Sequence, residues 1–141
     1  MLTVKDVMST DLVTLKDTES VSLARQIMGH KHVRHVPIRN EAGEFVGLLT
    51  QRDVLAATVS IFADVDQQVI DEMESSIPIR EIMTTAMTVV HEDTLLHEAA
   101  KYLLELKIGC LPVLSNGRLA GILTEADFIK LAIELINKFD T

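Results

Sequence analysis

GLLTQRD, residues 47–53, returns as GILTEAD, residues 121–127. Gly, Leu, Thr and Asp stand in the same places, and Ile replaces one Leu. A short chain that writes one phrase twice invites a search for a longer repeat, because an overlooked duplication misreads the whole fold. Working outward, Met8 aligns with Met83, Ala24 with Ala99 and Pro37 with Pro112, each pair 75 residues apart. Gly43 and Gly117, Gly47 and Gly121, Thr50 and Thr124, and Asp53 and Asp127 lie 74 apart. The change of spacing puts a one-residue deletion in the turn before Gly117, where length changes are tolerated.

Each copy reads as β-α-β-β-α. Leu12–Leu15 is a short extended run, and Ser20 caps a helix whose Val21, Ala24 and Met28 share a face. Leu96, Ala99 and Leu103 repeat that face in the second copy. Val33–Arg39 follows as a strand, with Pro37 expected at an edge or irregular position. Asn40–Gly43 turns the chain, Glu44–Leu49 returns as the hairpin partner, and a helix starts near Gln51. One copy has too few elements for a comfortable core, so two copies are expected to pack face to face. The fold class is α/β (α+β), with two three-stranded sheets flanked by helices. The expected domains are residues 1–58, a helical acidic connector over 59–77, and 78–141.

The connector lacks Gly and Pro, and Val59, Phe62, Val65, Val69, Ile70 and Met73 recur at helical spacing. Residues 56–79 carry five acidic and no basic side chains, so the outer side is expected to be acidic. The last helix, Glu125–Lys138, is apolar around an arc of roughly 200° rather than the ~100° of a one-sided surface helix. A second chain is expected to cover the excess, which makes a homodimer.

Composition narrows the function. The net charge of −8 leaves no basic face to grip a nucleic-acid backbone. No apolar run approaches the ~20 residues of a membrane span. The start, MLTVKDVMST, does not read as a signal peptide. One cysteine, Cys110, fits a reducing cytoplasm and reads as a small buried hydrophobe. The only basic cluster, His30–His35, lacks carboxylate or thiolate partners at ligand spacing, so no metal is expected. No nucleophile stands beside an identifiable base, which argues against an enzyme.

Gly-h-h-Thr-x-x-Asp has two compatible readings. A helix starts just after the Thr, and its unpaired N–H groups and partial positive charge suit a phosphate. The Asp, about one turn on, could accept both hydroxyls of a ribose. Alternatively, Thr-x-x-Asp is simply a capping device, with Thr50 and Thr124 as N-caps worth ~1 kcal/mol each. Gly47 and Gly121 would admit a close approach by backbone or ligand.

Taken together, Asp6-Val7-Met8-Ser9-Thr10 and Glu81-Ile82-Met83-Thr84-Thr85, Val33–Ile38 and Ile108–Val113, and the two phrases above resemble a tandem pair of cystathionine-β-synthase (CBS) domains, a Bateman module. The resemblance covers nearly all of the chain. It implies two pseudo-twofold repeats sharing a cleft with two potential sites, flat dimers, and regulatory sensing of AMP, ADP, ATP or S-adenosylmethionine by an adenosine-binding site. It implies that Asp53 and Asp127 hold ribose and that Thr50 and Thr124 meet phosphate or ribose oxygens. It further implies that Arg34 and His35 serve the Asp127 site, while Gly109 and Cys110 bring no charge to the Asp53 site, where Arg52 partly substitutes. No cofactor is required, and an effector protein would read the signal. A dimerisation module with empty clefts is the alternative.

Overall fold

The computed structural model describes residues 1–62 and 66–140 of the chain. The chain divides into two compact units, one made of residues 1–12 with 88–141 and the other of 13–87. These compact units do not coincide with the sequence repeats at residues 1–58 and 78–141. Each stretch of about a dozen residues that opens a sequence repeat is built into the unit formed by the rest of the other repeat. The reason lies in hydrogen bonding. Ser9 exchanges both backbone hydrogen bonds with Ile122 (2.8 and 3.0 Å), and Thr84 does the same with Leu48 (2.8 and 2.9 Å).

In the 13–87 unit, β1 (Leu15–Lys16), β2 (His35–Arg39) and β3 (Phe45–Thr50) form one sheet in that order. Strands β1 and β2 are parallel, and β2 and β3 are antiparallel. Helix α1 (Val21–Lys31) starts where Ser20 accepts the Leu23 amide at 3.1 Å, satisfying one of the donors a helix leaves open. It ends at His32, whose φ of 54° is left-handed. Val21, Ala24 and Met28 face the sheet and pack with Val36, Ile38, Leu49, Val54 and Ile79. Burying each large apolar side chain stabilises the unit by about 1.5–3 kcal/mol. Helix α2 (Gln51–Phe62) continues directly from β3, and α3 (Gln67–Glu74) packs against α1 and α2.

Helix thus occupies the connector on both sides of residues 63–65. Val59, Phe62 and Val65 lie outside the described side chains. Of the connector's other apolar residues, Ile70 is buried and Met73 is exposed. The expected acidic outer side needs one correction. Asp71 and Glu72 face solvent, but Glu74 is only 1% exposed. It lies one turn beyond Ile70 on the same face, and its carboxylate takes two hydrogen bonds from Arg25 of α1, at 2.9 and 2.8 Å.

The other unit repeats the plan with β4 (Val90–His91), α4 (Leu96–Glu105), β5 (Cys110–Ser115), β6 (Arg118–Thr124) and α5 (Glu125–Phe139). Its core joins Val4 with Val90, Leu96, Ala99, Leu103, Leu111, Val113 and Leu123. The one-residue deletion falls in the β5–β6 turn. There Asn116 (φ 53°) and Gly117 (φ 76°) link the Ser115–Arg118 pair, the Asn-Gly turn whose twist suits a two-residue hairpin.

Pro37 and Pro112 stand in central strands, not at edges, but each lies just before a register shift in its hairpin, between Ile38 and Arg39 and between Val113 and Leu114. Leu48, opposite Pro37, gives both backbone groups to Thr84, so the nitrogen of Pro37 faces the β1 side. Strand β1 pairs only with Ile38 and Arg39, so no partner there loses a donor. Strand β4 stops short of Pro112 in the same way. Among the described residues, no helix is long and apolar enough to cross a membrane.

Candidate functional site

The two phrases end their β-strands at Thr50 and Thr124, and a helix begins at the next residue in each. At α2, the Thr50 amide donates to Asp53 Oδ2 (2.9 Å) and the Asp53 amide donates to Thr50 Oγ1 (3.0 Å). At α5 the same reciprocal box forms, with the Thr124 amide 2.9 Å from Asp127 Oδ2. Thr3 and Asp6 use the device again, with an amide–carboxylate distance of 2.8 Å. That bonding holds the exposed Asp6 carboxyl below the usual carboxylate range. The capping reading therefore holds as far as local geometry goes. What separates the pairs at residues 50–53 and 124–127 from Thr3 and Asp6 is a third partner.

That partner comes from a segment to which sequence reasoning gave no role. Ser9 Oγ donates to Asp127 Oδ1 at 2.7 Å, and Thr84 Oγ1 stands 3.2 and 3.4 Å from the two oxygens of Asp53. Gly121 and Gly47 make this approach possible. A Cβ on Gly121 would lie 2.7 Å from Ser9 O and 2.8 Å from Met8 Sδ. On Gly47 it would lie 2.7 Å from Met83 Sδ and 3.1 Å from Thr84 O. The close approach expected of these glycines is thus made by backbone and a methionine. The signal was present in the paired Met8-Ser9 and Met83-Thr84, 75 residues apart.

The two carboxylates differ in access. Asp127 is only 6% exposed, whereas Asp53 is half-buried. A carboxylate offers about four lone-pair sites. Asp53 Oδ2 holds the Thr50 amide, while among the described residues Oδ1 has only the 3.4 Å approach of Thr84. Asp127 has a short bond on each oxygen. Acceptor capacity therefore remains mainly at Asp53.

Arg34 and His35, which the sequence reading assigned to Asp127, stand within their own unit at the turn that carries Asp53. His35 pairs with Thr50 across β2 and β3, and the Arg34 carbonyl accepts the Gln51 amide at 2.9 Å. Arg34 and Arg52 are exposed. Arg52 also lines a depression of about 430 Å³ with Arg25, Met28, Gly29, Val54 and Leu55. At the corresponding turn of the other unit, Cys110 pairs with Thr124 and the Gly109 carbonyl accepts the Glu125 amide. Burial, with Asp127 nearby, pushes the Cys110 thiol up to about 12, so it is not a reactive thiolate at neutral pH. No cluster of three or more metal-ligating side chains occurs among the described residues.

The family model for the CBS domain matches residues 4–60 and 79–134. A Vibrio cholerae protein described as an acetoin utilization protein (AcuB) superposes with a TM-score of 0.82 at 34% identity, over 99% of this chain and 96% of its own. Arabidopsis thaliana CBSX2, solved in complex with AMP, gives 0.80 at 31% identity over 96% and 99%. The CBS domain pair of protein MJ0100, in complex with 5′-methylthioadenosine and S-adenosyl-L-methionine, gives 0.75 at 27% identity over 92% and 98%. The chain spans 42% and 61% of the length of the first two curated relatives it matches.

Proposed function

The chain belongs to the CBS-domain family as a tandem pair, and from that premise we propose that it is a regulatory module sensing an adenosine derivative such as AMP, ADP, ATP or S-adenosylmethionine. The observation that carries this reading is the Asp53 carboxylate, fixed by Thr50 at the start of α2, half-buried, and with one oxygen that meets only a long contact from Thr84 among the described residues. A vicinal diol can donate to such a carboxylate through charge-assisted hydrogen bonds of about 1.5–3 kcal/mol each. Arg34, His35 and Arg52 lie on or next to the same turn; the two arginines supply the positive charge that phosphates require, and His35 adds an imidazole. The ligands held by CBSX2 and the MJ0100 domain pair support the adenosine class. This reading moves Arg34 and His35 from the Asp127 site, where the family resemblance put them, to the Asp53 site. Asp53, with Arg34 and His35 beside its turn, is the principal site, and Thr124 and Asp127 form the lesser one.

The module works as a homodimer in the cytoplasm, without a cofactor and without catalysis, and an effector protein reads its state. Occupancy signals only if the ligand prefers one arrangement of the protein over another. A dimerisation module that binds no ligand is the second reading, favoured by the capping boxes, which give both Thr–Asp pairs a local purpose. Calorimetric titration with AMP, ATP and S-adenosylmethionine, alongside thermal unfolding, separates the two. A ligand at 100 times its Kd adds about 2.7 kcal/mol of stability, and Asp53→Ala removes the effect. No heat and no shift with any of the three leaves the scaffold reading.

A further inference from the structure

The two units differ in how tightly a hydroxyl from the Met-Ser or Met-Thr segment closes on its aspartate. Resting on the reading of Asp53 as a diol acceptor, we propose that Ser9 is a specificity-determining residue that closes the Asp127 site, and that its hydroxyl occupies the position a ribose hydroxyl would take. The bond from Ser9 Oγ to Asp127 Oδ1 is 2.7 Å, a fully formed hydrogen bond from a hydroxyl to a carboxylate. Its geometry is enforced from the backbone, because both Ser9 main-chain groups are tied to Ile122 and Ser9 O lies against Gly121. The aspartate below is almost sealed from solvent.

Thr84 occupies the equivalent place over Asp53 with the same backbone bridge, to Leu48, yet its hydroxyl stands at 3.2 and 3.4 Å and splits between both oxygens. Asp53 is only partly buried. One plan, with serine in one unit and threonine in the other, gives a closed and an open aspartate. A diol approaching Asp127 must displace a short, pre-formed hydrogen bond. At Asp53 it displaces at most a long one.

The experiment is calorimetric titration of AMP into the full chain, Ser9→Ala, and Ser9→Ala combined with Asp127→Ala. Ser9→Ala is expected to bind one more AMP equivalent than the parent, with a Kd within about tenfold of the Asp53 site, and Asp127→Ala is expected to remove that equivalent. Ser9→Gly keeps the backbone bridge with a smaller residue and is expected to give the same increment should Ser9→Ala fold poorly. An unchanged stoichiometry in both folded Ser9 variants, or an extra equivalent that survives Asp127→Ala, overturns the proposal. The parent's own stoichiometry, one equivalent lost in Asp53→Ala, judges the underlying reading separately from the increment.

Discussion

Glu74 is sealed in the 13–87 unit by two hydrogen bonds from Arg25, Nε to Oε1 at 2.9 Å and the terminal nitrogen to Oε2 at 2.8 Å. The carboxylate is 1% exposed, and the guanidinium keeps 38% of its surface in water. The bidentate bonding holds the guanidinium above its ordinary pKa. Removing the arginine takes a bidentate cation from a buried carboxylate, so Arg25→Met is expected to cost about 3 kcal/mol. Arg25→Met with Glu74→Met removes both charges and is expected to recover most of that loss. Urea unfolding of the three chains checks the order. A double variant no more stable than Arg25→Met would show that the pair contributes more than it costs to bury.

Gly121 and Gly47 occupy equivalent positions but face different atoms. A methyl group at Gly121 meets the Ser9 carbonyl oxygen, which the backbone bridge to Ile122 holds in place. At Gly47 the nearest atom is the sulfur of a flexible methionine, and the carbonyl is farther away. Gly121→Ala is therefore expected to destabilise by about 2–3 kcal/mol and Gly47→Ala by about 1 kcal/mol. Denaturation midpoints give the comparison, and equal losses would mean that Met83 cannot move aside.

The duplication was legible because its markers are local. A strand, a capping Thr and an Asp one turn later occupy seven consecutive residues, and periodicity places α1, α4 and α5 around them. The third partner of each aspartate was not legible, since Ser9 reaches Asp127 across 118 residues. No local pattern states which unit an opening segment joins. Of the two positions expected for Pro37, edge or irregular, the edge failed for a related reason. A proline rule assumes full-length neighbours, and β1 is two residues long. Glu74 was readable in principle, because it continues the face of Ile70, but its charge alone suggested solvent.

Cys110 gives the protein an alkaline limit. Its thiol ordinarily titrates near 9.0, and in the fold burial pushes it up to about 12. The contribution of the neutral thiol is intact below pH 9 and is lost as pH rises from about 9 to 12, because only the unfolded chain then releases the proton. Cys110→Ala is expected to flatten this part of the stability–pH curve. Urea unfolding at pH 8, 9 and 10 measures it, and parallel slopes for the two chains would refute the assignment. In the same range, native Cys110 is expected to react with thiol reagents far more slowly than the unfolded chain.

Helix α5 presents Ile129, Ile133 and Ile136 along one face, with Leu135 and Phe139 beside them. Phe128 and Leu131, on the inner side, pack on the core of their own unit, so that unit leaves the outer set uncovered. An apolar surface of this kind is characteristic of an interface, and a second copy supplies an identical patch that can close on itself around a twofold axis. The homodimer proposed above therefore predicts a sharp separation of association from folding. Ile133→Glu with Ile136→Glu adds charge only where side chains are already more than half exposed, at 53% and 55%. The folded chain is expected to keep its helical signal and its cooperative unfolding. Sedimentation of the parent is expected to give a dimer and that of the variant a monomer, and the parent's melting temperature alone is expected to rise with protein concentration. A parent that sediments as a monomer, or a charged variant that stays dimeric, would remove α5 from the interface.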